Sequence, residues 1–115
     1  MIGAIAACAG CATSGFHVEG VATSRGAAVA GATVWSECPQ VIKATAPSEL
    51  GVTDARGHFV IDEPAFGRWI HDGCDLIVSK PGYKTRRWPV SSVCGIWDVN
   101  HCTLVELSAE LEPAD

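Results

Sequence analysis

Six cysteines and four histidines in a chain of 115 residues are the side chains best equipped to bind a metal, exchange disulfides or move protons. Cys8-Ala9-Gly10-Cys11 has the C-x-x-C spacing of a redox pair. That chemistry requires the first cysteine at a helix N-terminus following a strand, where its pKa falls, and nothing in the flanking sequence supplies such a setting. Cys38, Cys74, Cys94 and Cys102 contain no C-x-x-C pair among them. His71 lies three residues before Cys74 and His101 adjoins Cys102, but the clustered ligand spacing of a zinc site is missing. These four read as disulfides formed in an oxidising compartment. Four cysteines allow three pairings. Cys38–Cys74 with Cys94–Cys102 is the expected set: the second pair closes the short loop Gly95–His101, and the first ties the end of the second strand to the start of the fifth. By loop entropy each adds roughly 2–4 kcal/mol.

The other polar candidates are weaker. His17, His58, His71 and His101 are scattered through strands and loops, where solvated side chains are the usual reading; a metal-binding protein or hydrolase using His58, His71 and His101 is the alternative. Asp54 and Asp62 flank a turn, and an Asp at the first turn position bonds its own backbone. Ser91-Ser92 lacks a G-x-S-x-G elbow. No catalytic residue, metal or cofactor is therefore assigned. Trp69, Tyr83, Arg86, Arg87, Trp88 and Trp97 combine the residue types enriched in binding hot spots, so they form a candidate recognition patch. The competing account has two of the tryptophans completing the core and the others covering loop ends.

The elements that must position these groups read as β-strands. With 48% hydrophobic and 18% charged residues the chain is too apolar for disorder, and its size suits one domain burying roughly 60–68% of its unfolded surface. A net charge of −5 argues against nucleic acid as a partner. Val52, Phe59 and Ile61 are set in a strand-like pattern about Asp54-Ala55-Arg56-Gly57, which predicts a tight hairpin closed by positive φ at Gly57. Phe16–Thr23 and Ala28–Glu37 precede it as strands, the second ended by Cys38-Pro39. Asp62–Gly73 reads as a loop folded over one end of the core. Cys74–Lys80 is a strand, Pro81-Gly82-Tyr83 a type II turn, and Lys84–Val90 a returning edge or solvated strand. Cys94–Cys102 reads as a small loop. Val105, Leu107, Ala109 and Leu111 alternate with polar residues in the closing strand Thr103–Leu111. Seven short strands separated by Gly and Pro predict an all-β, antiparallel β-sandwich.

Two resemblances add to this reading. Residues 1–15 resemble the end of a bacterial lipoprotein signal, an apolar run meeting a lipobox, with Cys8 (Ile5-Ala6-Ala7-Cys8) or Cys11 (Cys8-Ala9-Gly10-Cys11) as the lipidated residue and Thr13–Phe16 as a spacer. The basic region usual in that pattern is missing, since no Lys or Arg precedes Arg25. Val18-x-Gly20, Gly26-x-x-Val29-x-Gly31-Ala32-x-Val34, Thr53-Asp54-x-x-Gly57-x-Phe59 and Val78-x-Lys80-Pro81-Gly82-Tyr83 resemble, in order and spacing, the carboxypeptidase regulatory-like domains. That resemblance, over residues 16–112, implies a transthyretin-like Greek-key sandwich and an accessory or binding role. Related enzymes leave marks that are missing here. Intradiol dioxygenases need two tyrosine and two histidine iron ligands, whereas Tyr83 is the single tyrosine. Hydroxyisourate hydrolases end in Tyr-Arg-Gly-Ser, whereas this chain ends Leu111-Glu112-Pro113-Ala114-Asp115. Together these readings imply a non-enzymatic envelope protein, lipid-anchored at the outer membrane or periplasm or else secreted, that contacts a protein or a cell-envelope polymer.

Overall fold

Two-residue alternation of apolar and polar side chains carries most of the architecture, since successive strand residues point to opposite faces. The computed structural model describes residues 15–39, 47–63 and 70–115. In β1 (Phe16–Ser24), Phe16, Val18, Ala22 and Ser24 are buried and the residues between them are not. In β10 (His101–Glu110), Cys102, Val105, Leu107 and Ala109 are buried, and Leu111 continues the pattern just beyond the strand.

Two sheets stack with these apolar faces together. In the first, β1 runs between β10 on one side and β5 (His58–Glu63) with the two-residue β2 (Ala27–Ala28) on the other. The short β6 (Ile70–His71) and β9 (Cys94–Asp98) pair with β10. The second sheet has the order β4 (Ser48–Val52), β3 (Thr33–Glu37), β7 (Asp75–Ser79), β8 (Arg86–Pro89). Val18, Val34, Leu76, Val78, Val105 and Leu111 are fully buried between the sheets. The molecule is thus nearly all-β, with a single one-turn helix, α1 (Val90–Val93), among the described residues.

The structure departs from the sequence reading in several places, the least of them being β6 inside the expected Asp62–Gly73 loop. The sheets are not wholly antiparallel, because β1 and β10 pair in parallel from His17↔Leu104 to Thr23↔Glu110. Gly20 permits that seam: a Cβ there would lie 1.9 Å from the Leu107 carbonyl oxygen. Ala28–Glu37 is not one strand, since Gly31 takes a φ of 75° and breaks it, leaving β2 and β3 in different sheets. Cys94–Cys102 is not a loop but β9 and its turn into β10. Val99 in that turn has a φ of 59°, a conformation that a β-branched side chain gives no reason to expect.

The largest departure is at Asp54–Gly57. The turn has the expected local form, with the Gly57 N–H bonded to the Asp54 carbonyl at 2.9 Å and Gly57 at a φ of 78°. Yet β4 pairs with β3 and β5 pairs with β1, so the turn carries the chain from one sheet to the other and closes no hairpin. Thr53 anchors this crossing. Its buried hydroxyl donates to the Val29 carbonyl at 2.7 Å and accepts the Ala32 N–H at 2.9 Å. Its backbone N–H bonds the Ala32 carbonyl, and its carbonyl accepts the Gly31 N–H. Val52, at the end of β4, is half-exposed.

A further crossing, beside those at 29–32 and through α1, returns the chain from β6 to β7 through Asp72–Cys74. The Cys74 N–H bonds the His71 carbonyl at 3.0 Å. The disulfide Cys38–Cys74 adds one rung to the β3–β7 ladder beyond Glu37↔Asp75. The other disulfide, Cys94–Cys102, links β9 to β10.

Candidate functional surface and side-chain clusters

The open face of the first sheet is built by strand register. Cross-strand partners project to the same face, so the pairings place Asp62, His17, Leu104 and Ile96 in one row across β5, β1, β10 and β9. The next row holds Val60, Glu19 and Glu106. Val60 is 68% exposed and Ile96 54%, so apolar side chains lie open at both margins of a band of carboxylates. Glu19 and Glu106 are direct neighbours, an unfavourable pairing of like charges that His17 relieves. The His17 ring reaches Asp62 through Nδ1 at 3.0 Å and Glu19 through Nε2 at 2.7 Å. The hydrogen bond to Asp62, then that to Glu19, raises the pKa of His17 above the ordinary imidazole value.

At the edge of the second sheet, β8 divides the expected recognition patch between two faces. Arg86 and Trp88 pair with Val78 and Leu76 and turn toward the core side. The Arg86 guanidinium lies 4.7 Å from the Trp88 ring centroid and donates to the Glu110 carbonyl at 3.0 Å. An inward-aimed charge of this kind also discourages edge-to-edge pairing. Arg87 faces outward and bonds Glu37 and Asp75, each at 2.7 Å. These bonds, Glu37 first, keep its guanidinium firmly protonated. Tyr83 is partly buried against the core in a bridge to Pro113. Trp97 belongs to β9 in the other sheet and is 40% exposed. Trp69, Cys8 and Cys11 lie outside the described residues.

The turn residues are occupied by their own backbone. Asp54 Oδ1 accepts the N–H groups of Arg56 at 2.8 Å and His58 at 2.9 Å, and these bonds, Arg56 first, lower its carboxyl pKa. Pro81 and Gly82 form the middle of a turn in which the Tyr83 N–H bonds the Lys80 carbonyl, with Gly82 at a φ of 93°.

The histidines are separated unequally. His58 sits opposite Val21 on β5, whereas His71 and His101 face each other across β6 and β10. Ligand atoms of Cys38, His71 and Cys74 lie within 4.8 Å of one another at the β6–β7 crossing. The His71–Cys74 spacing is visible in the sequence, but Cys38, 36 residues from Cys74, joins them only through the β3–β7 register. No helix among the described residues is long and apolar enough to cross a membrane.

Stacked sheets with one parallel seam, joined by four inter-sheet crossings among the described residues, define a β-sandwich. No protein-family model matches the chain. No curated protein matches it either. Among solved structures it is similar to the crystal structure of 3-chlorocatechol 1,2-dioxygenase from Rhodococcus opacus 1CP, with a TM-score of 0.52 and 12% identity. The match covers 90% of this chain and spans 61% of that one. At such identity the likeness is one of fold.

Proposed function

We propose that this chain is a small envelope lipoprotein whose sandwich serves a binding or bracing role and performs no catalysis. Cys8 or Cys11 carries the lipid that holds it to a membrane, and the acidic, apolar-margined face of the first sheet meets another protein or a cell-envelope polymer. The sandwich itself is of the carboxypeptidase regulatory-like kind, a transthyretin-like Greek key in which β1, β3, β4, β5, β7, β8 and β10 are the seven principal strands. Its β2, β6 and β9 are additions to that plan.

The observation that supports this reading best is the commitment of polar side chains to the fold. Thr53, Asp54, Arg86 and Arg87 are each bonded to backbone or to neighbouring carboxylates. The two disulfides fit an oxidising, extracytoplasmic setting. The dioxygenase likeness brings no chemistry with it, because an iron site with two tyrosine ligands cannot be built from Tyr83 alone. Metabolic labelling with a palmitate analogue tests the anchor: label is expected in the native chain and lost in Cys8→Ser or Cys11→Ser. Equal labelling after both substitutions together contradicts the lipid assignment. Photo-crosslinking from position 60 or 96 tests the face, with a discrete adduct expected from these positions and none from position 55.

A further inference from the structure

We propose that the Cys38–Cys74 disulfide closes a soft-metal site, and that its reduction opens a thiolate–imidazole centre for zinc or a similar ion at the β6–β7 crossing. Three observations meet there. The sulfurs of Cys38 and Cys74 and a ring nitrogen of His71 lie within 4.8 Å of one another, close enough for one ion to bridge them. The His71 backbone N–H points at Cys74 Sγ, 3.3 Å away, a donor that favours sulfur in its thiolate form. His101 pairs with His71 in the β6–β10 ladder, and the fourth position on the ion is left to water. The site is also held from both sides, Cys38 following β3 and Cys74 preceding β7, so the ladder keeps the two sulfurs together once their bond is broken. Nothing similar surrounds the other bridge: among the described residues Cys38, His71 and Cys74 form the single cluster of this kind.

The opening step consumes a dithiol reductant. Two electrons and two protons pass from it to the Sγ–Sγ bond, which breaks to give two thiols while the reductant closes to its own disulfide. Zinc then displaces both thiol protons to solvent and binds two thiolates and the neutral imidazole. The ring's Nδ1 now accepts the Gly73 N–H at 3.0 Å, so coordination through Nδ1 costs that turn bond while coordination through Nε2 keeps it. A disulfide oxidant that takes two electrons from the two thiolates and two protons from solvent, becoming a dithiol itself, expels the ion and restores the bridge.

The test uses the full chain with Cys8, Cys11, Cys94 and Cys102 each changed to Ser, leaving Cys38 and Cys74 as its only thiols. After reduction with a phosphine under anaerobic conditions it is titrated with Co(II), then with zinc in competition. We expect one ion per chain, a thiolate-to-cobalt charge-transfer band, and no uptake by the oxidised sample. His71→Ala is expected to weaken binding at least tenfold, while His58→Ala, a histidine on β5, leaves it unchanged. No uptake by the reduced chain, or equal affinity in His71→Ala, overturns the proposal; the second result also exposes binding by an unfolded chain, which would not depend on His71.

Discussion

Within the described residues the chain passes between the two sheets four times, at 29–32, at 53–57, at 72–74 and through α1, and the crossings at Thr53–Gly57 and His71–Cys74 solve the same problem with different materials. At Thr53–Gly57 the link is made of hydrogen bonds: a buried hydroxyl with a donor and an acceptor role, a carboxylate capping its own turn, and a glycine whose missing Cβ admits the Ala22 carbonyl. At His71–Cys74 it is made of a covalent bridge beside an imidazole. The first turns its buried hydroxyl and its turn carboxylate onto the backbone. The second concentrates soft donor atoms that one reversible bond holds together. A polar cluster is a functional candidate when its groups have another state to adopt, and of these two crossings the one at His71–Cys74 offers it.

Removing each link measures the contrast. Cys38→Ser/Cys74→Ser opens a closure spanning 36 residues, and loop entropy sets the loss at about 4 kcal/mol, against about 2.5 kcal/mol for Cys94→Ser/Cys102→Ser, whose span is 8. Urea unfolding under oxidising conditions reads both values; equal losses would show that the longer closure carries no extra weight. Gly57→Ala forces a side chain into φ of 78° with its Cβ 2.4 Å from the Ala22 oxygen, and about 3 kcal/mol should be lost in the same assay. Thr53→Val keeps the shape but strands the Ala32 N–H and the Val29 carbonyl in the core, for about 2 kcal/mol. A neutral result there would mean that the crossing does not depend on the hydroxyl.

The smallest effect belongs to His17, which lies in neither crossing and so serves as the reference. Its folded-state pKa is raised, so its contribution is fully present below the ordinary imidazole pKa of about 6.5 and is lost as pH rises through the raised value. The stability gap between the native chain and His17→Gln should therefore shrink as pH goes from about 5 to about 9. Asp54 behaves oppositely. Its lowered pKa stabilises the fold above the ordinary carboxyl value, and that support fades as pH falls through the folded one.

Local pattern was enough to read β1, β3 and β10, which bury alternate residues against the opposite sheet, and β7, whose Leu76, Ile77 and Val78 are a short buried apolar run. It was not enough at Asp54–Gly57. A hairpin and an inter-sheet crossing demand the same Asp and Gly; the distinction rests on Thr53 meeting Val29 and Ala32, 24 and 21 residues away. The β9–β10 turn was hidden because Val99 sits where Asn or Gly is usual. His71-x-x-Cys74 was legible as a spacing, yet its third member arrives through strand register that no spacing records. Among the described residues the members of the expected patch are divided for a related reason: Arg86 and Arg87 are adjacent in sequence and therefore point to opposite faces of β8.

Peptide mapping of the unreduced protein by mass spectrometry is the most direct measurement of how these sheets are joined. Linked peptides containing Cys38 with Cys74 and Cys94 with Cys102 are predicted. A Cys38–Cys94 or Cys74–Cys102 linkage would place β3, β7 and β9 in an arrangement that these two sheets cannot accommodate, and would contradict the account.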